Sequence, residues 1–124
     1  MPRILIVEDN PDNAELFKRV LSARGFEIAH APDAETGLQL AIDFRPEVIL
    51  MDLGLPDADG QTLVTWLRRV PTLAHTPIIA CTAWPEEAAR RMVDAYGCNG
   101  YIRKPISVST FADQISAYLR EGQP

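Results

Sequence analysis

Five short apolar runs, at residues 4–7, 27–29, 48–51, 78–81 and 100–102, alternate with stretches of helical spacing until the chain is used up. Three of the runs are nearly continuous: Ile4-Leu5-Ile6-Val7, Val48-Ile49-Leu50-Met51 and Ile78-Ile79-Ala80-Cys81. A strand with one wet face alternates apolar and polar residues, whereas a strand covered on both faces does not, and strands of the second kind belong to parallel sheets. The runs at 27–29 and 100–102 are weaker and are expected nearer the sheet edges.

The intervening segments carry helix signals. Leu16, Val20 and Leu21 follow Asn10-Pro11, with Asn as the cap, Pro in the first turn and Gly25 as the stop. Leu38, Ala41 and Ile42 line a second helix that ends before Pro46, and Leu63, Val64 and Leu67 a third that ends at Pro71. Pro85-Glu86-Glu87 opens a fourth, its carboxylates facing the positive end of the helix dipole. Phe111, Ile115, Tyr118 and Leu119 form the stripe of a fifth, with Ser107 expected as its N-cap. Five βα units joined by right-handed crossovers predict an α/β three-layer sandwich around a parallel five-stranded sheet.

Composition narrows the function. At 124 residues and 47% hydrophobic content the chain is expected to form one domain over residues 1–124. The net charge of -5, with Arg68-Arg69 and Arg90-Arg91 the densest basic pairs, argues against direct DNA binding. Cys81 and Cys98 are too few for a disulfide framework or a metal cluster and are expected to be small core residues. With no signal-type leader and no apolar run of membrane-spanning length, a cytoplasmic protein with no membrane association is expected.

In open α/β sheets ligands bind beyond the carboxyl ends of the strands. Those ends carry Glu8-Asp9 after the first run, Asp52 after the third, Thr82 after the fourth and Lys104-Pro105 after the fifth. Taken singly, each has an ordinary structural role: Glu8-Asp9 as helix cap, Asp52 as a turn residue, Thr82 as a strand end, Lys104-Pro105 as an exposed turn. Together they describe a pocket. Three carboxylates brought close repel one another unless they hold a cation, and hard oxygen ligands with room for water and phosphate oxygens suit Mg²⁺. Glu8 and Asp9 are candidate ligands, directly or through water, and Asp52 is candidate ligand and nucleophile. Lys104 and the metal are expected to neutralise charge on a transferring phosphoryl group, and the Thr82 hydroxyl to donate to one of its oxygens.

At this point the chain resembles the receiver domains of two-component response regulators. The likeness is carried by residues 4–10 (Ile-Leu-Ile-Val-Glu-Asp-Asn), by residues 51–56 (Met-Asp-Leu-Gly-Leu-Pro) with Gly60, by Thr82-Ala83, and by residues 101–105 (Tyr-Ile-Arg-Lys-Pro). Gly97-Cys98 and residues 104–107 add a fainter likeness to stand-alone receivers of the cell-division regulator type. The resemblance implies a flavodoxin-like (βα)5 fold with strand order 2-1-3-4-5. It implies a phosphoryl group accepted on Asp52 from a sensor histidine kinase or histidine phosphotransfer protein. It also implies a metal ligand in the backbone carbonyl of Gly54, a cis-proline turn at Pro105, and a switch pair in Thr82 and Tyr101. Output is then expected through the surface of helix 4, strand 5 and helix 5, to a downstream protein partner, from a monomer or a phosphorylation-linked dimer. Trp84 is expected on the same surface, and Gly54 and Trp84 are expected to flank the path of hydrolytic water and to make self-dephosphorylation slow.

Three other readings share parts of this pattern. A phosphatase with an aspartate nucleophile needs an acid two residues on, where this chain has Gly54. A flavodoxin-type electron carrier needs a Ser/Thr/Gly-rich phosphate loop after the first strand, where Glu8-Asp9 would repel the phosphate. A receiver-fold interaction module that works without phosphorylation is the remaining alternative. No effector domain is evident by residues 121–124, so output is expected through a protein partner, or the chain is a piece of a larger protein.

Overall fold

The computed structural model describes residues 2–121, with side chains over 2–119. In chain order its elements are β1 (Arg3–Val7), α1 (Pro11–Ala23), β2 (Glu27–Ala31), α2 (Ala34–Phe44), β3 (Val48–Asp52), α3 (Gly60–Arg68), a 3-10 turn (Pro71–Leu73), β4 (Ile78–Thr82), α4 (Glu86–Tyr96), β5 (Gly100–Arg103) and α5 (Phe111–Glu121). The strands form one sheet in the order β2-β1-β3-β4-β5, every neighbouring pair parallel. This is the expected flavodoxin-like α/β topology.

The period of two along each strand divides the core. Leu5, Val7, Ile49, Met51, Ile78 and Ala80 face α2, α3 and α4, while Ile4, Ile6, Val48, Leu50, Ile79 and Cys81 face α1 and α5. Both sides of β1, β3 and β4 are thus buried, which is why those runs show no polar alternation. On the second face Phe17 of α1 and Phe111 of α5 meet with ring centroids 5.2 Å apart. The edge strands β2 and β5 are only partly buried, as their weaker runs foretold.

Helix ends follow local chemistry. Asn10 caps α1 by accepting the N–H groups of Asp12 and Asn13, at 2.9 and 3.1 Å. Gly25 follows with φ +89°, a backbone few side chains tolerate. At the end of α2, Arg45 takes the same left-handed region, φ 53°, without being glycine.

Several boundaries differ from expectation. β2 runs two residues past Ala29, because His30 and Ala31 find ladder partners in Ile6 and Val7. β3 and β4 include Asp52 and Thr82 as their last residues, and β5 reaches Arg103. Ser107 is not an N-cap through its side chain. Its carbonyl accepts from Thr110 and Phe111 in a turn, its hydroxyl pairs with that of Ser109, and α5 starts at Phe111. Cys81 is buried but Cys98 only half-buried; both are free thiols, pushed up by burial to about 12 and about 11. Among the described residues no helix is long and apolar enough to cross a membrane. Residues 122–124 lie outside the described residues.

Candidate functional site

α1 leads from β1 to β2 on one side, and α2 carries the chain back to β3 on the other, so strand order reverses between β1 and β3. A crevice at the carboxyl ends of these strands follows from that reversal. Into it the fold delivers Glu8 and Asp9 just beyond β1 and Asp52 at the tip of β3.

Carboxylate oxygens of Glu8, Asp9 and Asp52 all lie within 4.8 Å of one another. Lys104, just beyond β5, reaches across the sheet end. Its Nζ donates to Glu8 Oε1 at 3.0 Å and to Asp52 Oδ1 at 3.2 Å. The backbone N–H of Lys104 donates to the Thr82 carbonyl at 2.7 Å, carrying the β4–β5 pairing one residue past the strand. The Lys104-Pro105 peptide is cis, as the family resemblance implied.

Burial varies across the cluster and sets its electrostatics. Glu8 is 1% exposed, Asp52 half-buried and Asp9 exposed. Burial is the largest influence on Glu8 and raises its pKa, the Lys104 bond opposes this, and the charge of Asp52 adds to the rise. Burial works against the charge on Lys104, but its bonds to Glu8 and Asp52 and their negative field prevail and hold its pKa above the ordinary value. Three carboxylates and one ammonium leave two formal negative charges uncompensated, which is the charge a divalent cation supplies.

The donor set fits such an ion. Oxygens bound to one Mg²⁺ at about 2.1 Å stand roughly 3–4 Å apart, so the observed spread closes with small side-chain rotations. The ordinary structural roles weighed for these residues are taken by others. Capping of α1 falls to Asn10, although Glu8 Oε2 also accepts the Asn10 N–H at 3.3 Å. The turn after β3 is shaped by Asp57 and Asp59, which leaves Asp52 in the sheet.

Thr82 is 3% exposed, and its hydroxyl oxygen accepts the N–H of Trp84 at 3.0 Å. Trp84, 41% exposed, is tied in turn to β5 by Arg103, whose Nε donates to the Trp84 carbonyl at 3.1 Å. Tyr101 stands apart from the carboxylates. Its hydroxyl donates to Glu86 Oε1 of α4 at 3.3 Å, and Arg90 donates to that hydroxyl at 3.5 Å. Gly54 is exposed, forms an isolated bridge with Asp59, and has open space where a Cβ would stand.

Two participants escaped the sequence reasoning. One ring nitrogen of His30, Nε2, lies 2.8 Å from the Glu8 carbonyl, and the Asp57 carboxylate accepts N–H groups from the start of α2. Both contacts join residues more than twenty positions apart, and no local motif marks either.

The chain matches the response regulator receiver domain over residues 4–116. It is 39% identical over 120 residues to the polar-differentiation response regulator DivK of Brucella anthropi, covering 96% of this chain and 98% of that protein. The receiver domain of a sensor histidine kinase from Pseudomonas aeruginosa, with a magnesium ion coordinated in its active-site cleft, superposes with a TM-score of 0.87. It is 28% identical, and the match covers 96% of this chain and 98% of the other. A two-component response regulator from Clostridium difficile gives a TM-score of 0.89 at 25% identity, with full coverage of both chains.

Proposed function

Because this chain belongs to the response regulator receiver domain family, we propose that it is a phosphorylation-activated switch with Asp52 as phosphoacceptor. The observation that carries this reading is the Lys104 ammonium lying between the Glu8 and Asp52 carboxylates, with Asp9 at hand. The whole of residues 1–124 is taken as one receiver unit. It is a signalling switch rather than a classical enzyme, and its chemistry is confined to its own phosphorylation and slow dephosphorylation.

The donor is a phosphohistidine on a sensor histidine kinase or histidine phosphotransfer protein. An Asp52 oxygen attacks phosphorus, the N–P bond breaks, and the imidazole leaves with the electron pair and takes up a proton. Glu8, Asp9, Asp52 and the Gly54 carbonyl would hold Mg²⁺, which would supply charge neutralisation to the transferring group. Lys104 shares that task once the phosphoryl group occupies Asp52. The Thr82 hydroxyl accepts from Trp84 through its oxygen, so its hydrogen is available to donate to a phosphoryl oxygen.

Output runs through the α4-β5-α5 surface to a downstream protein target, with Thr82 and Tyr101 as the switch pair. Support comes from the position of Tyr101, whose hydroxyl is held on α4 by contacts that an inward turn of the ring must break. The protein acts in the cytoplasm, without binding DNA, as a monomer or phosphorylation-linked dimer.

Incubation with acetyl phosphate and Mg²⁺ tests the reading. The intact mass is expected to rise by one phosphoryl group, with no gain in Asp52→Asn or when Mg²⁺ is chelated. No gain in the unmodified chain would favour the interaction module that works without phosphorylation.

A further inference from the structure

The loop between β3 and α3, residues 53–59, makes a contact that neither element explains. Asp57 Oδ1 accepts the N–H of Ala34 at 2.8 Å, and Asp57 Oδ2 accepts that of Glu35 at 3.0 Å. These are the first two amides of α2. That helix already has a local cap, since Asp33 accepts the Thr36 N–H at 2.8 Å. Asp57 and Glu35 are exposed, so water could serve the Glu35 amide, whereas Ala34 is buried and its amide relies on Asp57. The bidentate clasp therefore fastens an otherwise exposed part of the loop to a buried helix start.

The rest of the loop is anchored at its base. Asp52 belongs to the sheet, Leu53 and Leu55 are buried in the core, and Asp59 caps α3 through the Thr62 N–H at 2.8 Å. An antiparallel bridge between Gly54 and Asp59 pinches the two sides together, with Asp57 in the span between them. The other side of the clasp is rigid. α2 lies on β1 so closely that a Cβ at Gly37 would come 3.0 Å from Val7 Cγ2, and Val7 directly precedes Glu8 and Asp9. Through α2 the clasp thus links the segment holding Gly54 to the strand that presents the first two carboxylates.

We propose that Asp57 is a positioning residue for the divalent-cation site, holding the β3–α3 loop so that the Gly54 carbonyl stays in register with Asp52 and Asp9. This rests on the reading of the carboxylate cluster as a Mg²⁺ site. Asp57 itself touches no metal. Groups that orient the ligands of a metal commonly change affinity 10–100-fold when lost, and a contact acting through a backbone segment belongs at the lower end, about tenfold.

Calorimetric titration of the full, metal-free chain with Mg²⁺ tests the proposal, with Asp33→Ala as comparator because it removes the local cap of the same helix. Asp57→Ala is expected to bind Mg²⁺ about tenfold more weakly, and Asp57→Asn, which keeps one accepting oxygen, by a smaller factor. Asp33→Ala is expected to melt earlier yet keep the unmodified affinity. Should Asp57→Ala fail to fold, Asp57→Asn decides the matter, together with amide hydrogen exchange expected to quicken at Gly54 and Leu55. Unchanged Mg²⁺ affinity in the folded Asp57 variants overturns the proposal, and so does an equal loss in Asp33→Ala. An unmodified chain that binds no Mg²⁺ defeats the reading of the cluster itself, and is told apart because the loss is then not specific to Asp57.

Discussion

Glu8 and Asp57 are both carboxylates near one crevice, and the fold shifts them in opposite directions. Burial raises Glu8, whereas the N–H groups of Ala34 and Glu35 lower Asp57. An acid raised on folding favours the native state in its protonated form, so that contribution is present below the ordinary carboxylate range and is lost as pH climbs through the raised value. Asp57 contributes the other way, above the ordinary range, and loses its contribution as pH falls through its lowered value. In metal-free protein at neutral pH, Glu8→Gln is therefore expected to melt higher than the unmodified chain, with the gap narrowing as the medium is acidified. The same variant should bind Mg²⁺ more weakly and lose only Glu8's share of the decline in affinity at low pH, because Asp9 and Asp52 still take up protons there. Thermal melts and Mg²⁺ titrations across pH check both signs, and a lower melting temperature in Glu8→Gln would contradict the assignment. In the proposed switch, Gly54 and Trp84 would bear on how long a phosphoryl group survives. Open space surrounds the missing Cβ of Gly54, so a β-carbon meets no clash there, and an asparagine on it is expected to orient water. Gly54→Asn and Trp84→Glu are each expected to release phosphate several-fold faster, below the ~100-fold that a well-positioned acid or base supplies. A phosphate-release time course with no acceleration in either variant would count against a shielded acyl phosphate.

At the scale of elements, most of the helix ends were legible because capping is local chemistry. Asn10, Gly25, and Pro85 with Glu86 and Glu87 stand where their side chains and φ preferences require. Ser107 misled because a serine before an apolar stripe looks the same whether its hydroxyl or its carbonyl serves the helix. Two helix ends make a controlled pair. α4 stops at Gly97 with φ +81°, the residue type suited to that conformation, while α2 stops at Arg45 with φ 53°. Gly97→Ala is expected to cost about 1 kcal/mol, and Arg45→Gly to gain up to about 1 kcal/mol, because only a β-carbon makes the left-handed backbone unfavourable. Urea denaturation measures both, and shifts of the same sign would refute the backbone explanation.

Across the whole molecule, the two ends of the sheet have separate duties. The carboxyl end carries the carboxylates and Lys104. The amino end of β4 and β5 is closed by Arg68, which donates to the carbonyls of Leu73 and Thr76 at 3.0 and 2.6 Å and to Asn99 Oδ1 at 2.8 Å. Asn99 Oδ1 also accepts the Ile78 N–H at 2.9 Å, so one guanidinium gathers α3, the turn after it and the approach to β5. Arg68→Ala is expected to destabilise the chain by about 1–3 kcal/mol while leaving Mg²⁺ affinity unchanged. Coupled loss of both would mean that the two ends are not independent. The order of elements, the buried character of β1, β3 and β4, and the position of Glu8, Asp9, Asp52, Thr82 and Lys104 at or just beyond the carboxyl ends of strands were readable from one dimension. Hydrophobic periodicity and strand-end chemistry are properties of neighbouring residues. The meeting of Lys104 with Glu8 and Asp52, the placing of Tyr101 against Glu86 and Arg90, and the clasp of Asp57 on α2 were decided only in three dimensions. Each joins segments that the crossovers bring together, at hydrogen-bond distances of 2.8–3.5 Å that no spacing along the chain encodes.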